Sequence, residues 1–534
     1  MTVLDTRQRD TTLRELQNTN FDLAIIGGGI TGAGILREAS LRGLSVALLE
    51  AEDFASGTSS KSTKLVHGGI RYLAMGHFHV VREASLERKR VNELAPHLAE
   101  PQWLMLPAGN LMEFFKYRAG VSVYEQLGQV ESRDLHVNLS GESLAAREPL
   151  LDTKRYSRAC VYREYLTDDA RLVLANIRAG VQSGGVALNR ARVSGVIKAD
   201  GRLRALHVRC GVSGEEIVVN CKGAINAAGP WVESVCDLDG LRSEKPLVLS
   251  KGVHIVIPHN LLPLKQMVLM VGRDNRPVFA IPRGEVVYIG TTDTRYEQPA
   301  DLWPEVKRSE LEYLFVPIRD YFGVELKLED CISTWAGLRP LIAQRGKSTK
   351  EISRKDEIWI SKSGLITIAG GKLTGYRKMA EETVDTAVRF LQLSPDDEPE
   401  DIPLPGGDFT GDVEEQVSRL QLQYPMEESA ALRLFRLYGS EAWDVMALNP
   451  EPVSDGVSIV TGELIWAIKQ EGATTLEDII YRRTRAAFYR PLEVADIIEP
   501  ASVVAAAILN WSEDQRIAEA ESVRARFQAD SEIR

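Results

Sequence analysis

The apolar positions cluster with two different periods. A short continuous run at 22–26 is followed by helical spacing from Ile30 to the stop at Gly43, and a second run fills 44–49. Such short runs between turn residues predict buried strands, and the middle stretch predicts the helix between them. Small, hydroxyl and glycine residues then crowd 56–69, interleaved with Leu65, Val66, Ile70 and Tyr72, which predicts a loop tucked against the fold. An amphipathic helix is predicted over 78–95, ended by Pro96. The stretch 111–127 is rich in Phe, Tyr and Leu and carries Lys116 and Arg118; it reads as a core helix or as an apolar surface for a membrane or quinone, and packing is the commoner use of such a stripe. Thr167 and Asp168 mark an N-cap for a helix through Ser183. Residues 186–210 alternate and turn at Asp200-Gly201, a hairpin signal, and 217–226 form a strand running into Ala227–Trp231. Dense β patterning over 251–293, with a turn at Arg283-Gly284, predicts a separate antiparallel sheet. A last apolar strand at 365–368 meets Gly370-Gly371-Lys372, with a helix to 391; beyond a Pro-, acid- and Gly-rich linker at 394–407 the pattern is helical.

Chemistry enters at the first strand–helix junction. Gly27, Gly29 and Gly32 spell G-x-G-x-x-G between strand and helix, and the second strand ends in Glu50. This is a complete dinucleotide site: a tight turn at Gly27, close approach to a pyrophosphate at Gly29, helix–strand packing at Gly32, and an acid for ribose hydroxyls. The helix N-terminus aims free N–H groups at the phosphates. The motif alone leaves FAD and NAD open. Ala227–Trp231 and Gly370–Thr374 are two further glycine-marked strand ends far along the chain, so the nucleotide domain is expected to be discontinuous. The expected fold is α/β plus α, a Rossmann-like domain with an inserted antiparallel-sheet substrate domain and a helical C-terminal domain. The boundaries expected are a frayed polar extension at 1–20, nucleotide segments at 21–98, 151–238 and 352–393, substrate segments at 99–150 and 239–351, the linker at 394–407 and the helical domain at 408–534.

Composition narrows the classes. A chain of 534 residues with 44% hydrophobic content supports several packed domains. The net charge of −11 argues against nucleic acid, so an anion site must be a local cluster of basic side chains. Five cysteines without C-x-x-C, and histidines without metal spacing, point away from disulfides and metals and toward a reducing compartment. No apolar run is long enough to span a bilayer, and the first twenty residues lack the apolar core of a signal peptide.

The three junctions, together with TSSKSTKLVHGGIRYL (58–73), DDARLVLAN (168–176), NAAGPWV (226–232), KGVHIVIP (251–258), IGTTDT (289–294), WAGLRPL (335–341), AGGKLTGYRKMAE (369–381) and TLEDIIYRRTR (475–485), resemble the FAD-dependent glycerol-3-phosphate dehydrogenases of the D-amino-acid oxidase-type flavoproteins. The resemblance covers roughly residues 20 to 500; an N-terminal extension and the loop AQRGKSTKEI between Arg339 and Arg354 depart from it. It implies FAD as cofactor and oxidation of sn-glycerol 3-phosphate to dihydroxyacetone phosphate by hydride transfer from C2 to flavin N5. The pyrophosphate is expected on Gly27, Gly29, Ile30, Thr31 and Gly32, with Glu50 on the ribose. Thr58, Ser59, Ser62, Lys64 and His67 are expected along the path to the flavin, with Val193, Ala228 and Gly229. Gly371, Lys372, Leu373 and Thr374 are expected at the ring's N1/O2 edge. Arg71, Tyr72, His254, Arg339, Arg354 and Lys372 form the expected substrate set, the cations for the phosphate. His254 lies inside a β run, where a histidine is as readily a core residue as a general base; Arg339 is the candidate stabiliser of the developing oxyanion, and the base stays open. The resemblance further implies electrons passed to membrane quinone, a peripheral position on the inner face of the cytoplasmic membrane, and allows a homodimer. The stretch 114–118 and the Arg482-Arg483-Arg485 helix are candidate membrane contacts, although packing and solvated charge are the commoner use of such stretches. Oxygen as acceptor, a flavin oxidase of an amine or hydroxy acid, and a flavin-binding scaffold without turnover are the competing readings.

Overall fold

In the computed structural model the described residues are 4–69, 73, 78–240, 245–343, 356–396 and 402–532. Arg71, Tyr72 and Arg354 lie outside them.

Two sheets organise the chain. The first runs Glu357–Ile360, Ile366–Ala369, Glu216–Asn226, Asn20–Ile26, Val46–Leu49, Val186–Leu188 in spatial order. Its central pairings are parallel, with Ile26 opposite Asn226 and Ile25 opposite Leu48. Alternation along Asn20–Ile26 sends Leu23 and Ile25 to one face and Ala24 and Ile26 to the other. On the first face the helix Ile30–Leu41 is wedged between Asp169–Gln182 and Tyr376–Leu391. The second face is covered by the predicted hairpin, Ala191–Ala199 with Arg202–Cys210, and by the helix Arg9–Asn18. That helix corrects the expectation of a frayed N-terminus. Leu13 and Leu16 are buried, and the Arg9 guanidinium donates to the Asn189 side chain at 3.1 Å. The polar composition of 1–20 hid two apolar residues three apart on one helical face.

Among the described residues the second sheet has ten strands and is antiparallel except where Met267–Val271 runs parallel to Ala99–Ala108. At its centre Leu247–Pro258 pairs with Val286–Gly290 on one side and Ser333–Ile342 on the other. Arg158–Thr167 also belongs here, paired along its length with Ala99–Ala108. Leu65–Val66 adds to its edge. Both fall in segments expected to be nucleotide-binding, because strand pairing does not follow the order of motifs along the chain.

The C-terminal helices form two groups. Val413–Gln423, Glu428–Tyr438 and Ala442–Leu448 enclose a cluster around Phe435 and Leu434. Thr461–Gln470, Val494–Leu509 and Glu513–Ser531 close over the second sheet, sharing a core with Tyr288 and Trp335. Within the expected linker, Leu404 is buried and its N–H donates to the Leu94 carbonyl at 2.8 Å, so this end of the linker is docked. Among the described residues no helix is long and apolar enough to cross a membrane.

Candidate active site

The carboxyl ends of three adjacent parallel strands, Asn20–Ile26, Glu216–Asn226 and Ile366–Ala369, open onto one cavity of about 760 Å³. The chain continues to opposite sides of the sheet from the first two, which is where an open α/β sheet leaves a crevice. Gly27, at φ +112°, makes a turn in which a Cβ would come within 2.7 Å of the Ala227 carbonyl oxygen. A Cβ on Gly32 would overlap the carbonyl oxygen of Gly27, so the helix sits as close to the strand as backbone allows. The Ile30 N–H donates to the Ser59 hydroxyl at 3.0 Å, fixing the loop against the helix start. The Glu50 carboxylate accepts from the N–H groups of Gly28 at 2.6 Å and Glu52 at 2.8 Å. Burial raises its pKa and these amide bonds counter the shift.

Of the expected cofactor residues, Gly27, Gly29, Ile30, Thr31, Glu50, Thr58, Ser59, Val193, Ala228, Gly229, Gly371, Lys372 and Leu373 line the cavity. Gly32, Ser62, Lys64, His67 and Thr374 stand behind its wall. The Ser62 N–H and hydroxyl both donate to Asp169, at 2.9 and 2.7 Å. The Lys64 ammonium donates to the Ser60 carbonyl at 2.8 Å and Asp169 at 3.2 Å, beneath the Trp335 ring. Thr374 clamps the His67 backbone, donating to its carbonyl at 3.0 Å and accepting from its N–H at 3.1 Å. These residues shape the loop; hydroxyl-rich composition does not distinguish a group that faces a ligand from one that ties down the backbone.

The second sheet carries the substrate candidates. Arg339 lies across Gly252, its guanidinium donating to the Thr292 carbonyl at 3.2 Å and the Thr291 hydroxyl at 3.0 Å. His254 is 1% exposed, stacked on Trp335 with ring centroids 4.9 Å apart, and its Nε2 is 3.0 Å from the Thr63 hydroxyl. Burial, with Lys64 and Arg339 nearby, holds its pKa well below the usual histidine range. At neutral pH the ring is therefore neutral, with Nε2 turned to Thr63.

Several residues were not foreseen. Trp231 and the segment 300–303 also line the cavity. Lys61, buried beneath Trp303 at 3.9 Å from the ring centroid, donates to the Ser56 carbonyl at 2.5 Å. Burial pushes both Lys61 and Lys64 down to about 7. The C-terminal arginines, candidates for a membrane contact or for packing, are buried. Arg483 forks onto Asp53 at 2.6 and 2.8 Å, and Arg482 meets Asp53 at 2.5 Å and Asp478 at 2.6 Å. Arg485 bridges Asp168 at 3.0 Å and Asp169 at 2.9 Å. The four-residue spacing of Asp478 and Arg482 was the available signal; the partners around Asp53 and Asp168 were not visible locally.

The backbone cradle at Gly27 and Gly29, the acid at Glu50 and the cavity's extent fit a flavin dinucleotide. Comparison with known proteins agrees. The profile of the FAD dependent oxidoreductases matches residues 22–377, and that of the C-terminal domain of alpha-glycerophosphate oxidase matches 398–516. Aerobic glycerol-3-phosphate dehydrogenase of Staphylococcus epidermidis is 38% identical over 539 residues, covering 97% of this chain and 96% of its own. The Staphylococcus aureus enzyme of that name is 38% identical over 540 residues, with the same coverage, 97% and 96%. The crystal structure of the glycerol-3-phosphate dehydrogenase from Bacillus halodurans, complexed with FAD, superposes with a TM-score of 0.82 at 33% identity, covering 99% of each chain. The L-alpha-glycerophosphate oxidase from Mycoplasma pneumoniae shares the fold, with a TM-score of 0.55 at 19% identity over 72% of this chain and 97% of its own. The cradle, the cavity and the strand that carries Arg339 beside it thus belong to a member of the FAD-dependent glycerol-3-phosphate dehydrogenase family.

Proposed function

We propose that this chain oxidises sn-glycerol 3-phosphate to dihydroxyacetone phosphate and passes the electrons to a membrane quinone from the inner face of the cytoplasmic membrane. The supporting observation is the position of Arg339 and Lys372. Lys372 lines the FAD cavity, and Arg339 lies between Pro340, which also lines it, and Leu338, whose carbonyl accepts from the hydroxyl of the lining residue Thr58. A phosphate dianion calls for such cations, whereas a carboxylate substrate needs fewer.

Bound FAD supplies the hydride acceptor, at its N5, for the hydrogen leaving C2. Gly27, Gly29 and Thr31 would hold its pyrophosphate and Glu50 its ribose. Arg339, anchored by Thr291 and Thr292, presents a fixed cation to the oxygen that sheds its proton. Lys61, with a pKa brought down to about 7, is the buried amine beside the cavity able to change charge near neutrality. His254 holds Thr63 in place as a neutral ring.

Anaerobic mixing with glycerol 3-phosphate, followed at the flavin absorption maximum, tests the reading. Bleaching followed by faster reoxidation by a soluble quinone than by oxygen is the expected result. Faster reoxidation by oxygen makes the protein an oxidase. No bleaching overturns the assignment and directs attention to amine or hydroxy-acid substrates.

A further inference from the structure

Between the strand Thr294–Tyr296 and the helix Arg308–Phe322, residues 297–307 form neither helix nor strand. Four consecutive residues of this loop, 300–303, nevertheless line the FAD cavity. A loop outside any backbone ladder is held in place by side chains. Its far end is tied down by Lys251, whose ammonium donates to the Glu305 carbonyl at 2.6 Å. Within the loop the Trp303 N–H donates to the Asp301 carboxylate at 3.0 Å. The Trp303 side chain then links the loop to three other parts of the molecule.

The Lys61 ammonium lies 3.9 Å from the indole centroid, and it also donates to the carbonyl of Ser56, another lining residue. The Arg526 guanidinium, on the helix Glu513–Ser531, stands 4.7 Å from the same centroid. The Tyr481 ring makes a T-shaped contact, with centroids 5.1 Å apart. Both cations are attracted to the electron-rich face of the indole. Arg526 is aimed by Asp530, which accepts from its Nη2 at 2.6 Å and from the Tyr481 hydroxyl at 2.7 Å. Asp530 is buried, and its carbonyl accepts from the Thr334 hydroxyl at 2.9 Å, on the strand that carries Arg339. The C-terminal helix is thus fastened to the second sheet and, through Arg526, reaches a loop that lines the cofactor cavity.

Trp303 also lines a second cavity, of about 490 Å³, together with Pro304, Val306, Ala336, Arg526 and Ala529. Space therefore adjoins the indole, into which it can turn once its cation contacts are given up. We propose that the loop 300–303 is a clasp on bound FAD, latched by Trp303 against Lys61 and Arg526, and that FAD leaves when the indole swings into the second cavity. Trp303 is a positioning residue, holding 300–302 at the cavity wall, and Arg526 and Asp530 act through it. The cradle at Gly27 and Gly29 binds the dinucleotide; the clasp governs how slowly it departs, which is where differences in affinity mostly fall. The inference concerns FAD retention alone, so it stands or falls separately from the substrate and the electron acceptor proposed above.

The test is exchange of bound FAD for excess 5-deaza-FAD in the holoenzyme, followed by loss of absorbance at the flavin maximum. It is run at about pH 6, below the value of about 7 to which burial brings Lys61, so that both cations are charged. Trp303→Leu fills the seat without a ring and should speed exchange about tenfold, whereas Trp303→Phe, which keeps a π face, should recover most of that difference. Arg526→Met should speed exchange about threefold alone and not at all in the Trp303→Leu background, because the two residues act through one contact. Arg524→Met, on the same helix but paired with Glu499, should have no effect. Far-UV circular dichroism should be unchanged throughout. Unaltered exchange in Trp303→Leu, equal exchange in the Leu and Phe variants, or additive effects in the double variant overturns the proposal. Faster exchange accompanied by loss of ellipticity also overturns it and assigns the indole to general stability.

Discussion

Arg485→Met removes a guanidinium that is wholly buried and fully used. Its Nε donates to Asp168 at 3.0 Å, one Nη to Asp169 at 2.9 Å and the Ser60 carbonyl at 3.2 Å, and the other Nη to the Tyr481 carbonyl at 2.9 Å. Breaking a buried pair from one side costs about 3–5 kcal/mol, because the stranded charge keeps its desolvation penalty. That is about 150- to 5,000-fold in the unfolding equilibrium. The damage is local to the cofactor loop, since Asp168 caps the helix Asp169–Gln182 through the Arg171 N–H at 2.9 Å and Asp169 holds Ser62 and Lys64. Burial alone would raise the Asp168 pKa; Arg485, Arg283 and Lys64 more than reverse this and hold it below the ordinary range. A carboxylate depressed in the folded state stabilises fully above its unfolded pKa of about 4 and loses that contribution as pH falls toward its folded value. The assay is FAD release during urea titration at pH 7. Arg485→Met should release FAD at clearly lower urea, whereas Arg516→Met, at a surface ion pair, should leave the midpoint in place. Adding Asp168→Asn to Arg485→Met should cost at least about 1 kcal/mol less than the sum of the two single changes. An unchanged midpoint for Arg485→Met, or strict additivity in the cycle, refutes the reasoning.

Gly32→Ala should yield protein that loses FAD on gel filtration, because the added methyl collides with the Gly27 carbonyl and overpacking of this kind costs about 1–3 kcal/mol. Arg339→Ala should lower kcat/KM for glycerol 3-phosphate about 10- to 150-fold, the equivalent of a charged hydrogen bond of about 1.5–3 kcal/mol, and added guanidinium should restore part of the loss. Lys61 and Lys64 fall from 10.5 to about 7 on folding, so between those values the unfolded chain binds more protons. Their contribution to stability therefore rises with pH across about 7 to 10.5, and Lys61→Met should flatten a plot of thermal midpoint against pH in that window.

The first strand, Gly27 to Gly32 and Glu50 were legible because strand, turn, helix and acid are packed into thirty residues and each imposes a local demand. The strand ends at Ala227 and Gly370 were legible for the same reason, and their convergence followed from parallel pairing. What the sequence concealed was long-range. Whether Ser62 faces a ligand or Asp169 is decided by a residue 107 positions away, and Arg485 finds Asp169 across 316 positions. Leu13 and Leu16 were too few to betray a docked helix among polar neighbours. The helix Leu111–Leu127 was recognised as an element, yet it is apolar on both sides, Phe114 and Val121 buried and Met112 and Phe115 exposed, which cancels the asymmetry from which orientation is read.

The clamp on Asp53 also sets an order of biosynthesis. This acid lies three residues beyond Glu50, and the arginine that forks onto it comes 430 positions later. At about 5–20 residues per second a ribosome takes about 20–90 s to travel that interval. The nascent nucleotide-binding segments therefore wait, with an acid destined for burial still in water, until the last helices emerge. The Asp53 clamp therefore closes only after Arg482 and Arg483 have been made, and a truncation ahead of them leaves that acid without the arginines that bind it in the folded chain.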